Sequence, residues 1–398
     1  MSINLPDFST LLNPEIQQQT QRLADAFAET AVQRDRDGGS PLAQRQLIRE
    51  SGLLALSIPK NLGGLDGNWF DVMNSVRILA QVDNSLAHVF GFHHLLLATV
   101  RLFARAEQWQ NWFQQTATQQ LFWGNTLNPL DKRTVVHQQD GIYLFSGQKS
   151  FCSGAIDSDM LVASGLDQGT GKLLIAAIPT AREGIELHHD WDNMGQRQTD
   201  SGSATFRHVR VEQHELLLEP GPLSTPFACL RPLIAQLTFV NMFLGVAEGA
   251  FAEAKQYTQA QSRAWFLSGV ERADQDPYIL RHYGEFWLQL ESVRALNQQA
   301  ILQLQQAWQI GEALTAEQRG QVAIAVATAK VAASRVSLDI SNRMFEVTGA
   351  RATQAALRLD RFWRNVRTQT LHDPVDYKIK ELGEWALNAE FPQPSFYS

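Results

Sequence analysis

Apolar residues recur along the first third of the chain with the period of a helix. Val72, Val76, Leu79 and Val82 fall four, three and three residues apart, one face of a 3.6-residue repeat. A second apolar pattern predicts another helix over about 85–102, and residues 14–120 read as helical, with a turn at Pro59 and Gly63-Gly64. Between about 121 and 220 the texture changes. Segment 141–147, bounded by Gly141 and Gly147, has strand length and strand composition, and so do 161–163, 173–178 and 204–209. Stretches 165–171 and 181–184 are the loops expected between them. From about 229 the pattern is helical again, with candidate helices at 231–262, 276–310 and 316–347. These exceed the ordinary helix of a globular domain. Long antiparallel helices with short turns make a bundle. Ala323, Ala325, Ala327, Ala329, Ala332 and Ala333 allow close approach, so their helix is expected to be central or at a subunit interface. Asp373-Pro374 ends any helix before it. The expected fold is α+β in three parts: an N-terminal helical domain (1–120), a central β-barrel or sandwich domain (121–220) and a C-terminal four-helix bundle (221–398).

Composition narrows the function classes. An apolar fraction of 44% and a charged fraction of 19% over 398 residues exclude a disordered chain. A net charge of −7 argues against a nucleic-acid binder. The two cysteines, Cys152 and Cys229, form no CxxC pair, so neither a disulfide framework nor a zinc ribbon is expected; Cys152 reads as packing. Residues 1–10 lack the basic and apolar regions of a signal peptide, and uninterrupted apolar runs such as 95–100 fall short of the ~20 residues that span a bilayer. The expectation is a cytoplasmic protein with no membrane contact. No Gly-x-Gly-x-x-Gly opens a helix, and Gly169-Thr-Gly171-Lys172 lacks the rest of a phosphate loop. His93-His94 and His188-His189 are adjacent pairs whose side chains diverge, so no metal site is expected.

Four segments carry a resemblance. They are Trp123-Gly-Asn-Thr-Leu-Asn-Pro129, Phe151-Cys-Ser-Gly-Ala155, Met194-Gly-Gln-Arg-Gln-Thr-Asp-Ser-Gly202 and Arg361-Phe-Trp-Arg-Asn-Val-Arg-Thr-Gln-Thr-Leu-His-Asp-Pro374. Together they resemble the acyl-CoA dehydrogenase superfamily, which has the same helical–β–helical order. Within it they are most similar to the reduced-flavin-dependent monooxygenase branch that acts on methanesulfinate and dibenzothiophene. The resemblance runs from about residue 46 to 398. It implies an FMN site between the β domain and the bundle, in a homotetramer whose neighbouring subunits complete each site. By segment, Asn125 and Thr126 should face the pyrimidine side of the flavin, and Phe151 and Ser153 its N5 region. Arg263 matches the arginine that reaches the flavin phosphate across a subunit contact. Arg351 falls where the acyl-CoA enzymes accommodate the rest of FAD, and so favours FMN. Short polar side chains suit a flavin's N–H and C=O edge, and Arg suits a phosphate.

The departures matter most. In the acyl-CoA dehydrogenases a carboxylate abstracts an α-proton, and the matching stretch here is Leu371-His372-Asp373-Pro374. Histidine, with a reference pKa of about 6.5, suits proton handling at an oxygen better than removal of an α-proton. Asp373 is not promoted to the missing base, because adjacent side chains diverge. The implied chemistry is that of a two-component enzyme: a separate NAD(P)H-dependent flavin reductase supplies FMNH2, and O2 forms a flavin C4a-(hydro)peroxide. His372 and His88 then handle its proton, and Ser153 holds the N5 edge. Phe92, Trp191 and Phe239 are candidates for a dry wall. In the aromatic-substrate relatives a Tyr stands at Phe92 and a His at Gln369. Lys132 and Arg133 follow the first flavin segment and would compensate an anionic substrate. A short alkanesulfinate going to the sulfonate is therefore the expected substrate, with a sulfide or sulfoxide as the alternative.

Blander roles stand beside these. His88 suits a hydrogen-bonded core position, His372 and Ser153 suit turns, Arg263 and Arg351 suit interface ion pairs, and Lys132 and Arg133 suit a solvated face. Arg358, Arg361, Arg364 and Arg367 read as a subunit contact or solvated stripe. Two other function classes remain open at this stage. One is an acyl-CoA dehydrogenase with its base near Glu248 or Glu253, and the other is a non-catalytic scaffold.

Overall fold

A computed structural model describes residues 8–139 and 141–398. Six helices come first: α1 (Pro14–Ala28), α2 (Ala31–Asp37), α3 (Leu42–Glu50), α4 (Trp69–Val82), α5 (Asn84–Phe103) and α6 (Ala106–Gln119). Their starts follow from short polar side chains. Asn13, Asn68 and Asp83 each accept a hydrogen bond from a first-turn backbone N–H, and Asn68 with Asp71 closes a reciprocal capping box.

Seven strands follow: β1 (Trp123–Thr126), β2 (Val135–Gln139), β3 (Ile142–Lys149), β4 (Met160–Asp167), β5 (Leu173–Pro179), β6 (Ile185–Leu187) and β7 (Ala204–Val211). They form a curled sheet in the order β1-β4-β2-β3-β7-β6, with β5 also paired to β4. β4 runs parallel to β1 near its start and to β2 near its end, and antiparallel to β5 throughout. Sequence patterning finds β3, β4, β5 and β7 and misses β1, β2 and β6. The missed strands are short or polar, and cross-chain pairing rather than intrinsic propensity makes them strands. The loop expected from residue 165 begins later, because β4 extends to Asp167. At Gly147 the β3–β7 register shifts. Its φ is +134°, and a Cβ there would lie 2.1 Å from the Arg133 carbonyl oxygen, so the bulge needs glycine.

The last part holds α7 (Leu230–Ala260), α8 (Pro277–Ile310), α9 (Ala316–Thr348), α10 (Arg361–Gln369) and α11 (Val375–Asn388). The three long helices match the expected positions within a few residues. They pack side by side, with α11 against α9, while α7 also packs on α4 and α5. One apolar core therefore runs from Phe27 and Val76 through Leu97 and Phe239 to Leu290 and Ala329. A second, smaller core lies within the sheet around Phe145, Leu161 and Phe206.

Two expectations need correction. By length and composition α5 and α7 could each cross a membrane, which uninterrupted apolar runs do not reveal. In the fold they are core helices, with 94% and 100% of their most apolar windows buried. Arg358, Arg361 and Arg364 of the 358–367 row bind within the chain rather than forming a solvated stripe. Arg358 and Arg364 both pair with Asp35, at 2.8 and 2.5 Å, and the buried Arg361 pairs with Glu253.

The helical and sheet parts are tied by Arg45 of α3, which is fully buried. Its Nη2 donates to the Gly154 carbonyl at 2.9 Å and its Nη1 to that of Ile156. Asp157 and Asp200 lie 3.3 and 3.6 Å away, and the guanidinium covers the Phe122 ring at 4.3 Å. Burial pulls its pKa down to about 10 against these carboxylates. Arg45→Met should therefore cost about 3–5 kcal/mol, because it leaves buried acceptors and Asp200 unpaired. Urea unfolding measures this, and a loss below about 1 kcal/mol would refute the tie.

Candidate functional site

A cavity of about 800 Å³ opens where the sheet meets the helices. Its sheet wall comes from the end of β1 (Asn125), the turn after β3 (Phe151, Ser153) and the loop before β7 (Trp191, Gln196, Ser201). Its helical wall comes from α5 (His88, Phe92, Leu95), the start of α7 (Arg231, Gln236), the end of α10 with the following turn (Gln369, His372) and the tail (Phe396, Tyr397). The sequence-predicted Asn125, Phe151, Ser153, His88, Phe92, Trp191 and His372 thus line one cavity.

Strained backbone occurs here, as it does at other turns of the chain. Phe151, Gln196 and Asp200 all have left-handed φ values, near +60°, +56° and +48°. Phe151 is thereby turned outward, and its ring meets Trp191 edge-on at 6.2 Å. Gly124 lets β1 approach this turn, since a Cβ there would lie 2.6 Å from the Ala155 Cα. The Asn125 N–H then donates to the Ser153 carbonyl at 3.0 Å. Ser153 Oγ joins a hydroxyl chain through Ser201 (2.7 Å) to Thr199 (2.7 Å).

His88 is 4% exposed and stacks on Phe92 with ring centroids 4.2 Å apart. Its Nδ1 lies 3.1 Å from Gln369 Oε1, while its buried Nε2 has no partner. Burial pushes its pKa down to about 3, with Gln369 opposing and His372 reinforcing the shift. His88 is therefore neutral, and with Nδ1–H donated to Gln369 its Nε2 is an acceptor. It is not poised to bring a proton as imidazolium, which leaves it the accepting side of the expected proton handling.

His372 sits at the cavity edge over Phe239, with centroids 4.7 Å apart. Its Nδ1 bonds Asp373 Oδ1 at 3.0 Å, so the two side chains converge, contrary to the expected divergence. The turn after α10 makes that possible. Asp373 also takes Lys330 Nζ and Gln236 Nε2, each at 3.3 Å. Burial alone would raise the Asp373 carboxyl; the His372 hydrogen bond and the Lys330 charge overcome it and hold the group well below the usual range. Lys330 is itself buried, bonds Gln236 Oε1 at 2.6 Å, and covers the Phe239 ring at 4.7 Å.

Several expected residues stand elsewhere. Thr126 is buried and donates to the Val162 carbonyl at 3.2 Å; successive strand residues face opposite ways, so Asn125 and Thr126 cannot both face the cavity. Phe239 lies behind the wall, supporting His88, Phe92 and His372. Lys132 and Arg133 are exposed outside the cavity, where Asp131 grips the Arg133 guanidinium at 2.8 and 2.6 Å. Arg263 and Arg351 are exposed and remote, with Arg351 Nη2 bound to the Gln261 carbonyl at 2.7 Å. The runner-up bases are committed: Glu248 is clamped by Arg77 and Arg294, each at 2.8 Å, and Glu253 by Arg361. Cys152 is packing, its thiol pushed up to about 12 by burial. Sequence reading missed Arg231, Gln196 and Lys330. A lone cation inside an apolar run, as in 227–237 or 322–333, was the available signal.

The wall fits a flavin ring. The Gln196 amide has both polar atoms buried without a partner, as has His88 Nε2, and Asn125 and Ser153 stand on the same rim. Such groups match the alternating donors and acceptors of an isoalloxazine edge.

Comparison with known proteins agrees. Residues 14–120 match the acyl-CoA dehydrogenase N-terminal domain, and 237–377 the acyl-CoA dehydrogenase C-terminal domain. The probable FMNH2-dependent monooxygenase SfnC of Pseudomonas putida is 66% identical, covering 94% of this chain and 95% of that protein. The solved methanesulfinate monooxygenase MsuC of Pseudomonas fluorescens is 64% identical with a TM-score of 0.96, covering 97% and 100% of the two chains. The FMN-bound dibenzothiophene monooxygenase TdsC of Paenibacillus sp. A11-2 is 41% identical with a TM-score of 0.92, again covering 97% and 100%. The chain belongs to the acyl-CoA dehydrogenase superfamily, within its branch of FMNH2-dependent monooxygenases.

Proposed function

We propose that this protein is the oxygenase of a two-component system that converts a short alkanesulfinate, such as methanesulfinate, to the sulfonate. Bound FMNH2, delivered by a separate NAD(P)H-dependent reductase, supplies two electrons and two protons to O2. One oxygen atom forms the new S–O bond, the O–O bond breaks, and the second oxygen leaves as water, so R–SO2⁻ becomes R–SO3⁻.

The observation that carries this reading is the chemistry of the helical wall. Among the described residues it presents two imidazoles and no uncommitted carboxylate to serve as a base for α-proton abstraction. His372 has the wiring of a proton carrier. With Nδ1 tied to an ionised carboxylate, its Nε2 can give or take a proton while Asp373 stabilises the imidazolium. Neutral His88 offers an acceptor beside it. Phe92, Trp191 and Phe396 supply apolar wall that excludes water. Asn125, Ser153 and Gln196 would hold the flavin edge.

Arg263 would meet the FMN phosphate from a second subunit, and Arg351 would stand where FAD continues. A homotetramer is supported by the apolar side chains Trp265, Phe266, Leu267, Trp287 and Leu288, each more than half exposed. Arg263→Ala should weaken FMN binding by on the order of 2–3 kcal/mol, the loss of a charge-assisted pair. Fluorescence titration checks this, and an unaltered dissociation constant would place the phosphate elsewhere.

The deciding experiment supplies reductase, FMN, NADH and 18O2 with methanesulfinate. The sulfonate should carry one labelled oxygen. Failure on alkanesulfinates with turnover of dibenzothiophene would transfer the reading to sulfide oxygenation, which the 41% identity to TdsC favours as second choice.

A further inference from the structure

Arg231 is a buried cation with no carboxylate partner among the described residues; the acidic group that acts on it is the Tyr397 hydroxyl, whose pKa burial raises. It is 7% exposed, on the first turn of α7, and lines the cavity. Its Nε donates to Thr99 Oγ1 at 3.3 Å, and among the described residues its two Nη groups have no hydrogen-bond or ion-pair partner. Thr99 Oγ1 in turn donates to the Leu95 carbonyl at 2.8 Å, which fixes its lone pairs toward the guanidinium. Among the described residues the acidic side chain on the cavity wall is Asp192. It is 94% exposed at the rim and 3.8 Å from Arg197. Burial pulls Arg231 down to about 10, so it remains charged at neutral pH. A desolvated guanidinium with both Nη groups free is costly unless an anion completes it.

We infer that Arg231 is the receptor for the substrate's negative charge, and that it makes the cavity selective for organosulfur anions over neutral sulfur compounds. The inference rests on the monooxygenase reading above and adds the residue that sets its specificity. A guanidinium pairs a planar two-oxygen anion through two parallel N–H···O bonds. In R–SO2⁻ the sulfur lone pair points away from both oxygens. Holding those oxygens on Arg231 therefore directs the nucleophilic sulfur into the cavity. Thr99 is a positioning residue that sets the plane of the fork. Arg231 stands on the helical wall and Asn125, Ser153 and Gln196 on the sheet wall, which is left for the flavin.

The test titrates the protein, saturated with oxidised FMN, with sodium methanesulfinate and with neutral dimethyl sulfoxide, by calorimetry and by thermal melting. Wild type should bind the sulfinate and not the sulfoxide. Arg231→Met should weaken sulfinate binding on the order of 100-fold, and Arg231→Lys about 10-fold, both with FMN affinity unchanged. Without sulfinate, Arg231→Met should melt no lower than wild type, because it removes an uncompensated buried charge; a structural arginine would give the opposite. Sulfinate should raise the melting temperature of wild type and not of Arg231→Met. Equal sulfinate binding by wild type and Arg231→Met would overturn the receptor and leave the monooxygenase reading standing. So would lost FMN affinity with sulfinate binding intact, which would make Arg231 a phosphate ligand. If Arg231→Met fails to fold, Arg231→Lys decides by the same comparison. A wild type that neither binds nor oxidises any alkanesulfinate would bring down the reading itself, and the receptor with it.

Discussion

His372→Ala is expected to separate oxygen consumption from product formation. Uptake of O2 by the FMNH2-loaded protein should stay within a few-fold of wild type, while sulfonate formed per O2 falls by on the order of 10²-fold and hydrogen peroxide rises in its place. The reason is geometric. His372 is the cavity imidazole whose Nδ1 is tied to an ionised carboxylate, at 3.0 Å, and Asp373 is in turn held by Lys330 and Gln236. Removing the ring takes away the group proposed to move the proton but leaves Asp373 paired with Lys330 and Gln236, so folding should survive. His88 cannot replace it, because its burial keeps that ring neutral. Product and peroxide are counted against O2 consumed. Unchanged coupling would take His372 out of the mechanism.

The second large effect is on stability and falls on α5. His88, His93 and His94 are all buried there. Burial pushes His88 to about 3 and His93 to about 4, and carries His94 well below its ordinary value. In the unfolded chain each titrates near 6.5. Below that pH the unfolded state takes up protons that the folded state refuses, so stability falls as pH falls. Each histidine contributes about 1.4 kcal/mol per pH unit once the solution is below its unfolded pKa. The window runs from about pH 6.5 down to the folded values of about 4 and 3. Asp71 and Asp200, whose carboxyls burial raises, oppose the loss in part. Three such rings can remove a stability of ordinary size, about 5–15 kcal/mol, within two or three pH units. Urea midpoints at pH 7.5, 6 and 5 should drop steeply, and His94→Gln should flatten the slope. A midpoint constant from pH 7.5 to 5 would be incompatible with this account.

The helical frame was legible in the sequence because burial leaves a local trace. The long helices around Phe239, Leu290 and Ala329 announce themselves by apolar periodicity and length. Strands β3, β4, β5 and β7 are similarly plain, whereas β1, β2 and β6 owe their state to neighbours distant in the chain. The cavity residues Asn125, Phe151, Ser153 and His372 could be named from the resemblance of short segments, and His88 from the chemistry that the resemblance implies.

Their chemistry could not. Which of two histidines carries a proton depends on desolvation, and desolvation is a property of the assembled walls. The same holds for the candidate anion site. Lys132 and Arg133 are adjacent to a flavin segment in sequence, yet Asp131 holds Arg133 outside the cavity. Arg231, more than a hundred positions beyond Asn125, is brought to the cavity by α7 with no carboxylate partner among the described residues. The amino-acid order determined by itself the succession of helical, sheet and helical parts, the rim residues Asn125 and Ser153, and a histidine, His372, where the resemblance puts the family's carboxylate. The tertiary structure alone decided the protonation of His88, the Asp373–Lys330 support behind His372 and the placing of the Arg231 guanidinium on the cavity wall. Periodicity and short motifs are local quantities. Desolvation and charge pairing are sums over neighbours that only folding assembles.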